Sequence, residues 1–172
     1  SINRNATAGV DKVTWEQYEE RVGEKLRDLC GRIHRGSYRP QPSRRTYIPK
    51  EDGTKRALGI AALEDKIVQA AVAAVLGTIY EVDFLEFSYG FRPGRGQHDA
   101  LDALSVALQT TKVNYILDAD IRGYFDTIDH AMLRQLVQER VGDPRVLRLI
   151  ERWLEAGVVD EGRWKASEAG TP

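Results

Sequence analysis

The residues most able to do chemistry lie in the run Tyr115-Ile116-Leu117-Asp118-Ala119-Asp120-Ile121-Arg122-Gly123-Tyr124-Phe125-Asp126. On an extended strand, side chains alternate, so Asp118 and Asp120 would share a face. Two carboxylates at a strand end are hard oxygen donors suited to Mg²⁺. The same two acids could instead simply end a strand at its solvent edge or cap the turn that follows. A second concentration of charge precedes them. From Arg32 to Arg56 there are eight Lys or Arg against the two acids Glu51 and Asp52, so this stretch alone carries +6. The whole chain of 172 residues has a net charge of −1. A polyanion could be held by the basic part while acids act elsewhere, although a solvated basic face accounts equally well for the composition.

These groups need elements to position them. Thr14-Trp15-Glu16-Gln17 has the form of a capping box. Trp15, Tyr18, Val22, Leu26, Leu29 and Ile33 then recur at three or four residues, which predicts one helix from Thr14 to His34 that ends near Gly36. Beyond Pro40 and Pro42, two apolar-basic runs flank Asp52-Gly53, the signature of a two-stranded hairpin. Residues 63–80 read as a helix apolar around most of its surface and hence buried, and residues 97–110 as another. Asn114 to Asp120 suits a central strand. Helices near residues 129–140 and 144–156 are separated by Gly142-Asp143-Pro144, with Asp129 as an N-cap, and a closing hairpin turns at Glu161-Gly162.

A hydrophobic content of 42% supports one domain with a core or two small subdomains and argues against disorder. The apolar stretch around Val68 to Leu76 is far too short to span a bilayer, and the polar start of the chain has no signal-like core, so no membrane is expected and the cytoplasm is the expected compartment. Cys30 stands alone and is expected to be a buried helical thiol. Trp153 and Trp164 are expected to pack.

The motifs are more specific than their spacing. Asp120-Ile121-Arg122-Gly123-Tyr124-Phe125-Asp126-Thr127-Ile128-Asp129-His130 closely resembles the first catalytic motif of group II intron reverse transcriptases. Upstream, Tyr47 to Ile60 resembles the fingers hairpin of that family, Glu64 to Gln69 the helix after it, and Ser88-Tyr89-Gly90-Phe91-Arg92-Pro93-Gly94-Arg95 with His98 and Ala100 the next block. Ala8-Gly9-Val10-Asp11 is similar to the N-terminal extension. The resemblance implies an α+β fold, with fingers over residues 1–111 and the first part of a palm over residues 112–172. It also implies RNA-directed DNA polymerisation by two Mg²⁺ ions on an RNA template, a DNA primer and a dNTP, with host intron RNA as a further partner.

Residue by residue, the resemblance implies that Asp120 ligates both ions and that Ile121 lends a backbone carbonyl. Phe125 would lie under the sugar of the incoming nucleotide, and Lys50 and Arg56 would clamp its triphosphate. Arg44, Arg45, Arg92 and Arg95 would reach template phosphates. Surface charge is the plain alternative for the basic residues, and core packing for Phe125. The chain departs from the family pattern in having Ala57 and Ala61 where prolines are usual. It ends in Gly170-Thr171-Pro172, like the start of a block that precedes the Tyr-x-Asp-Asp loop, and no such loop occurs in it. The fragment alone is therefore expected to lack polymerase activity, its central strand to lack partners, and its exposed edge to favour self-association. Two other readings stay open. One is an RNA-binding splicing module without catalysis. The other is an Asp-x-Asp metal-dependent transferase or phosphatase, although the phosphatase pattern wants Thr or Val where Arg122 stands.

Overall fold

The computed structural model describes residues 3–51 and 53–172; Asp52, one half of the hairpin turn signal, lies outside them. The chain forms an α+β fold of two compact units, Ser1–Val72 with Gly123–Pro172, and Ala73–Arg122.

In the first unit the predicted first helix is two. The first, α1 (Trp15–Glu19), starts at Thr14, whose hydroxyl accepts from the Gln17 N–H while the Gln17 side chain accepts from the Thr14 N–H. The second, α2, runs over Val22–His34. Arg21 leaves helical geometry at φ −135° and ψ 40°, and Lys25 donates to the carbonyls of Gln17 and Tyr18 at 2.6 and 3.3 Å. The break is thus satisfied by a lysine where the helical ladder would otherwise have been. Both flanking segments keep their apolar face, so the periodicity runs through the break unchanged and could not reveal it.

Strands β1 (Ser43–Pro49) and β2 (Lys55–Ile60) pair antiparallel, with Ile48 opposite Arg56 and Arg44 opposite Ile60. Strands β3 (Val158–Asp160) and β4 (Arg163–Lys165) turn through Glu161 and Gly162, both at positive φ. β3 joins β1 in parallel, which gives one sheet in the order β2-β1-β3-β4. The core of this unit is Leu29, Tyr38 and Val68, against which Ile33, Ile67, Leu149 and Trp153 pack.

A polar network runs through this core. The Tyr38 hydroxyl donates to Asp65, the Asp65 carboxylate also accepts from the Gln41 N–H at 2.9 Å, and the Trp153 indole donates to Tyr38 at 3.1 Å. Burial outweighs the two bonds it accepts and pushes the Asp65 carboxyl above its usual range, while burial and then Asp65 push the Tyr38 phenol up.

Helix α3 (Leu63–Tyr80) begins in the first unit and ends in the second. It is buried only at Leu63, Asp65 and Val68, and Val75 is 57% exposed, so its second half is not the enclosed helix its composition suggests. In the second unit α4 (Gln97–Thr110) matches its predicted span but buries no residue. Residues 112–120 form no strand and are exposed throughout. A strand exists by pairing, and among the described residues nothing offers this segment a ladder, so its β propensity goes unused. Helices α5 (His130–Arg140) and α6 (Pro144–Glu155), in the first unit, start on the side-chain caps of Asp129 and Asp143. Cys30 is exposed, and Trp164 is 60% exposed with its indole donating to the Ala156 carbonyl at 3.2 Å, so neither is the packed residue expected.

Candidate nucleotide-binding hairpin and catalytic motif

Cross-strand register puts Arg44, Thr46, Ile48, Arg56, Leu58 and Ile60 on one face of the hairpin and Arg45, Tyr47, Lys55 and Ala57 on the other. Lys50 follows β1 directly. Its N–H donates to the Thr54 carbonyl at 2.7 Å, and its own carbonyl accepts from Gly53 at 3.1 Å, which fixes the hairpin end. Lys50 and Arg56 line the same open depression of about 570 Å³ with Ile48, Pro49 and Leu58, and Glu51 is the one acid in its lining. Both are exposed, and among the described residues no carboxylate pairs with either. Two cations beside an apolar wall, on a hydrogen-bonded ribbon, can grip a phosphate chain without first breaking an ion pair.

The two neighbouring arginines differ. Arg44 donates through Nε and Nη2 to the Ala8 carbonyl at 3.3 and 2.8 Å, and Lys66 donates to the Thr7 carbonyl at 2.6 Å, so Arg44 is committed to holding the N-terminal segment. Gly9 fits there because a Cβ would stand 2.6 Å from the Ala62 backbone. Arg45 lies on the opposite face, near enough to Asp160 to help hold its carboxyl below the usual range, after the hydrogen bonds from Lys165 and Tyr47.

Phe125 sits in a single 3₁₀ turn, Tyr124–Asp126, edge-on to Tyr124 with ring centroids 5.1 Å apart. It is 62% exposed and so is not a core residue. The end of the chain holds this turn. The Thr171 N–H donates to the Phe125 carbonyl at 2.9 Å, the Gly170 N–H donates to Ile128 at 2.8 Å, and the His130 ring pairs with the Gly170 carbonyl at 2.7 Å. Gly170 has φ +73°, and a Cβ on it would lie 2.7 Å from the carbonyl oxygens of Phe125 and Asp126. The Pro172 carbonyl in turn lies 2.6 Å from where a Cβ on Gly59 would stand. Residues 170–172 therefore bridge the Phe125 turn to β2, the strand that carries Arg56. The His130 ring thus helps to hold the turn.

In the second unit, Asp120 and Ile121 lie exposed on the irregular segment. Asp120 is a donor of the right kind for Mg²⁺. Among the described residues, however, no group of three or more His, Cys, Asp or Glu is gathered closely enough to hold a metal ion, so these residues do not by themselves close a site around one.

Arg92 also departs from expectation. It is 9% exposed and bonds to both oxygens of Glu81, with Nη2 at 2.7 Å, while Nη1 donates to the carbonyls of Leu85 and Ser88 at 2.9 and 2.8 Å. The guanidinium lies over the Phe84 ring at 5.1 Å and holds the Glu81 carboxyl below its usual range. With its donors committed inward, Arg92 organises the loop rather than facing a template. Arg95 is half-buried, donates to the Glu86 carbonyl and lies over the Tyr89 ring.

The order of these pieces has a counterpart among known proteins. Residues 48–172 match the family described as reverse transcriptase (RNA-dependent DNA polymerase). This chain belongs to the reverse transcriptase family. Within it, the chain is of the group II intron type. It is 38% identical over 169 residues to Protein YkfC of Escherichia coli, covering 96% of this chain and 44% of that protein. It is 35% identical over 168 residues to the Group II intron-encoded protein LtrA of Lactococcus lactis subsp. cremoris, covering 97% and 27%. It is 28% identical over 97 residues to Nuclear intron maturase 1, mitochondrial, of Arabidopsis thaliana, covering 54% and 13%. The chain thus spans less than half the length of these relatives. The match sets aside the Asp-x-Asp phosphatase or transferase reading.

Reverse transcriptases as a family use a divalent metal ion. No helix of this one, among the described residues, is long and apolar enough to cross a membrane. Two features escaped the sequence: the bridge made by residues 170–172 and the network of Tyr38, Asp65 and Trp153. The paired tight glycines, Gly59 and Gly170, were the available sign of the first. Nothing in spacing marks the second, because its members stand far apart in sequence.

Proposed function

We propose that this chain is the fingers, over residues 1–111, and the opening of the palm, from residue 112, of a cytoplasmic RNA-directed DNA polymerase encoded by a group II intron or a related retroelement. In the whole protein, Lys50 and Arg56 grip the triphosphate of the incoming dNTP, and Phe125 lies under its sugar and rejects a 2′ hydroxyl. Asp120 and the Ile121 carbonyl are ligands for Mg²⁺. When bound, two such ions lower the pKa of a primer hydroxyl and neutralise phosphate charge. Arg45 and Arg95 contact template phosphates, while Arg44 and Arg92 hold the segments that present them. The observation that carries this reading is the shared depression of Lys50 and Arg56 on a hairpin tied through residues 170–172 to the Phe125 turn.

The test is RNA-templated dNTP incorporation by the protein extended to the length of its relatives. Asp120→Asn should abolish incorporation, and Lys50→Ala or Arg56→Ala should raise the KM for dNTP more than they lower kcat. Incorporation that survives Asp120→Asn would sink the reading. Residues 1–172 alone should show no incorporation.

A second role is compatible with the first, because one matched relative is named an intron maturase. If the chain also holds intron RNA for splicing, that binding should weaken with salt and persist in Asp120→Asn.

A further inference from the structure

The end of α2 and the start of α6 line a cavity of about 350 Å³ in the first unit, whose lining includes none of the residues of the hairpin depression. Its wall carries Arg35, Arg145, Arg148 and Arg152, with His34 beside them, over an apolar floor that includes Val146 and Leu149. One acid, Asp143, faces the same space, and it is already held by Arg145 at 2.7 Å. Among the described residues no carboxylate pairs with Arg35, Arg148 or Arg152. Arg152 instead donates to the carbonyls of Gly36 and Tyr38 at 3.3 and 2.8 Å, and Arg39 donates to the same two carbonyls at 3.0 Å each.

Burial, followed by the like charges of Arg39 and Arg148, disfavours the Arg152 cation. Gathering like charges around a concave surface costs folding free energy and brings no attraction in return. A bound anion reverses the sign of that cost. Every cation here is arginine, whose planar fork matches the oxygens of a phosphate, and the apolar floor can take a ribose or base face.

We propose that this cavity is a second RNA-binding site, separate from the hairpin depression, which seats one backbone phosphate and its sugar from a structured RNA. The RNA is chosen over other polyanions because the chain is read above as a protein that works on RNA, and the inference rests on that reading.

The experiment measures affinity of the 172-residue chain for a structured RNA hairpin as a function of salt, with heparin as competitor. Arg35→Gln combined with Arg148→Gln should weaken RNA binding on the order of tenfold and reduce the salt slope by about 0.7–0.9 for each phosphate no longer neutralised. Lys50→Gln with Arg56→Gln serves as the reference for the other surface. Unchanged affinity and slope in the cavity variant, with wild-type RNA binding intact, overturn the inference and leave the proposed function standing. No RNA binding by the wild-type chain also overturns the inference, while the proposed function stands or falls on incorporation by the extended protein. Displacement of the RNA by heparin with the cavity variant unaffected marks a nonspecific polyanion surface and overturns the assignment to RNA. Because the double variant could lose its fold, a thermal melt accompanies it. A 4-thiouridine cross-linking map on the unaltered chain gives an independent answer: cross-links in residues 33–38 or 145–152 support the site, and cross-links confined to other segments overturn it.

Discussion

The hairpin of Ser43–Pro49 and Lys55–Ile60 and the segment Ala73–Arg122 both carry residues of the motifs that resemble those of the family, yet they are built differently. The hairpin is paired along its length, lies in a four-stranded sheet and is fastened by Arg44 to Ala8 and by Gly59 to Pro172. Its polar groups answer to partners from distant parts of the chain. The segment from Ala73 to Arg122 answers mostly to itself. Its best anchored side chain, Arg92, bonds to Glu81, Leu85 and Ser88, all within eleven residues, while α4 buries nothing and residues 112–120 have no ladder. The hairpin that carries Lys50 and Arg56 is thus prepared within this chain, whereas the stretch that carries Asp120 is irregular and exposed.

The largest effect that would erase this contrast comes from the first unit. Tyr38→Ala should cost about 3–5 kcal/mol in urea unfolding, since a fully buried ring is removed, the Asp65 carboxylate keeps only its bond from the Gln41 N–H, and the Trp153 indole loses its acceptor. A destabilisation below about 1 kcal/mol would show that the network does not hold the fold. Tyr38→Phe keeps the ring and should cost about 1–3 kcal/mol, the penalty of a buried acceptor left unmatched.

Next comes Gly170→Ala. The new Cβ would strike the carbonyls of Phe125 and Asp126 in a left-handed backbone, at a cost of about 1–3 kcal/mol, and should loosen the Phe125 turn. Chemical shifts of residues 124–128 that stay in place would contradict the bridging role.

A smaller, local change is expected for Arg92→Lys. One ammonium cannot replace the fork, so amide exchange over residues 85–95 should quicken roughly tenfold while the hairpin amides are unaffected. Equal acceleration in both regions would break the comparison.

The smallest effect concerns Asp143, whose carboxyl is held down to about 2 by Arg145 and by the Arg145 N–H at the start of α6. A depressed carboxylate contributes stability that is present above its ordinary value of 3.8 and is lost as pH falls toward about 2. Asp143→Ala should therefore flatten that part of the acid limb in a pH titration of stability. A limb unchanged by the substitution would place the acid sensitivity elsewhere. Asp65 runs the other way. Its raised pKa favours the protonated fold, so its contribution weakens as pH rises through the carboxylate range, and Asp65→Asn should remove that trend.

What could be read from residues alone followed how local the cause was. The pairing of β1 with β2, the hairpin at Glu161-Gly162, the caps at Thr14, Asp129 and Asp143, and the spans of α3, α4 and α6 rest on neighbours a few positions apart, and their signals were in the sequence. Where the cause was distant, the reading stopped. The parallel pairing of β3 with β1, the inward turn of Arg92 and the Tyr38 network depend on which side chains meet, and no period reports that. Asn114 to Asp120 shows the reverse error: a strong β propensity with nothing beside it to pair. The motif around Asp120 was legible as a family signature, whereas the arginine cavity was not, because its halves stand at residues 33–38 and 143–152.

The pairing of β1 with β3 also orders events in time. β1 and β2 can zip as soon as both have been made, because only a short turn separates them. The place of β3 stays empty until residue 158 arrives and closes a long loop, an entropic cost that grows slowly with length but must be met before any pairing offsets it. During synthesis the hairpin would therefore wait with one side of β1 unpaired while the residues between β2 and β3 emerge. That interval is when a second strand, from another chain or from a misregistered β4, has its best chance to take the position.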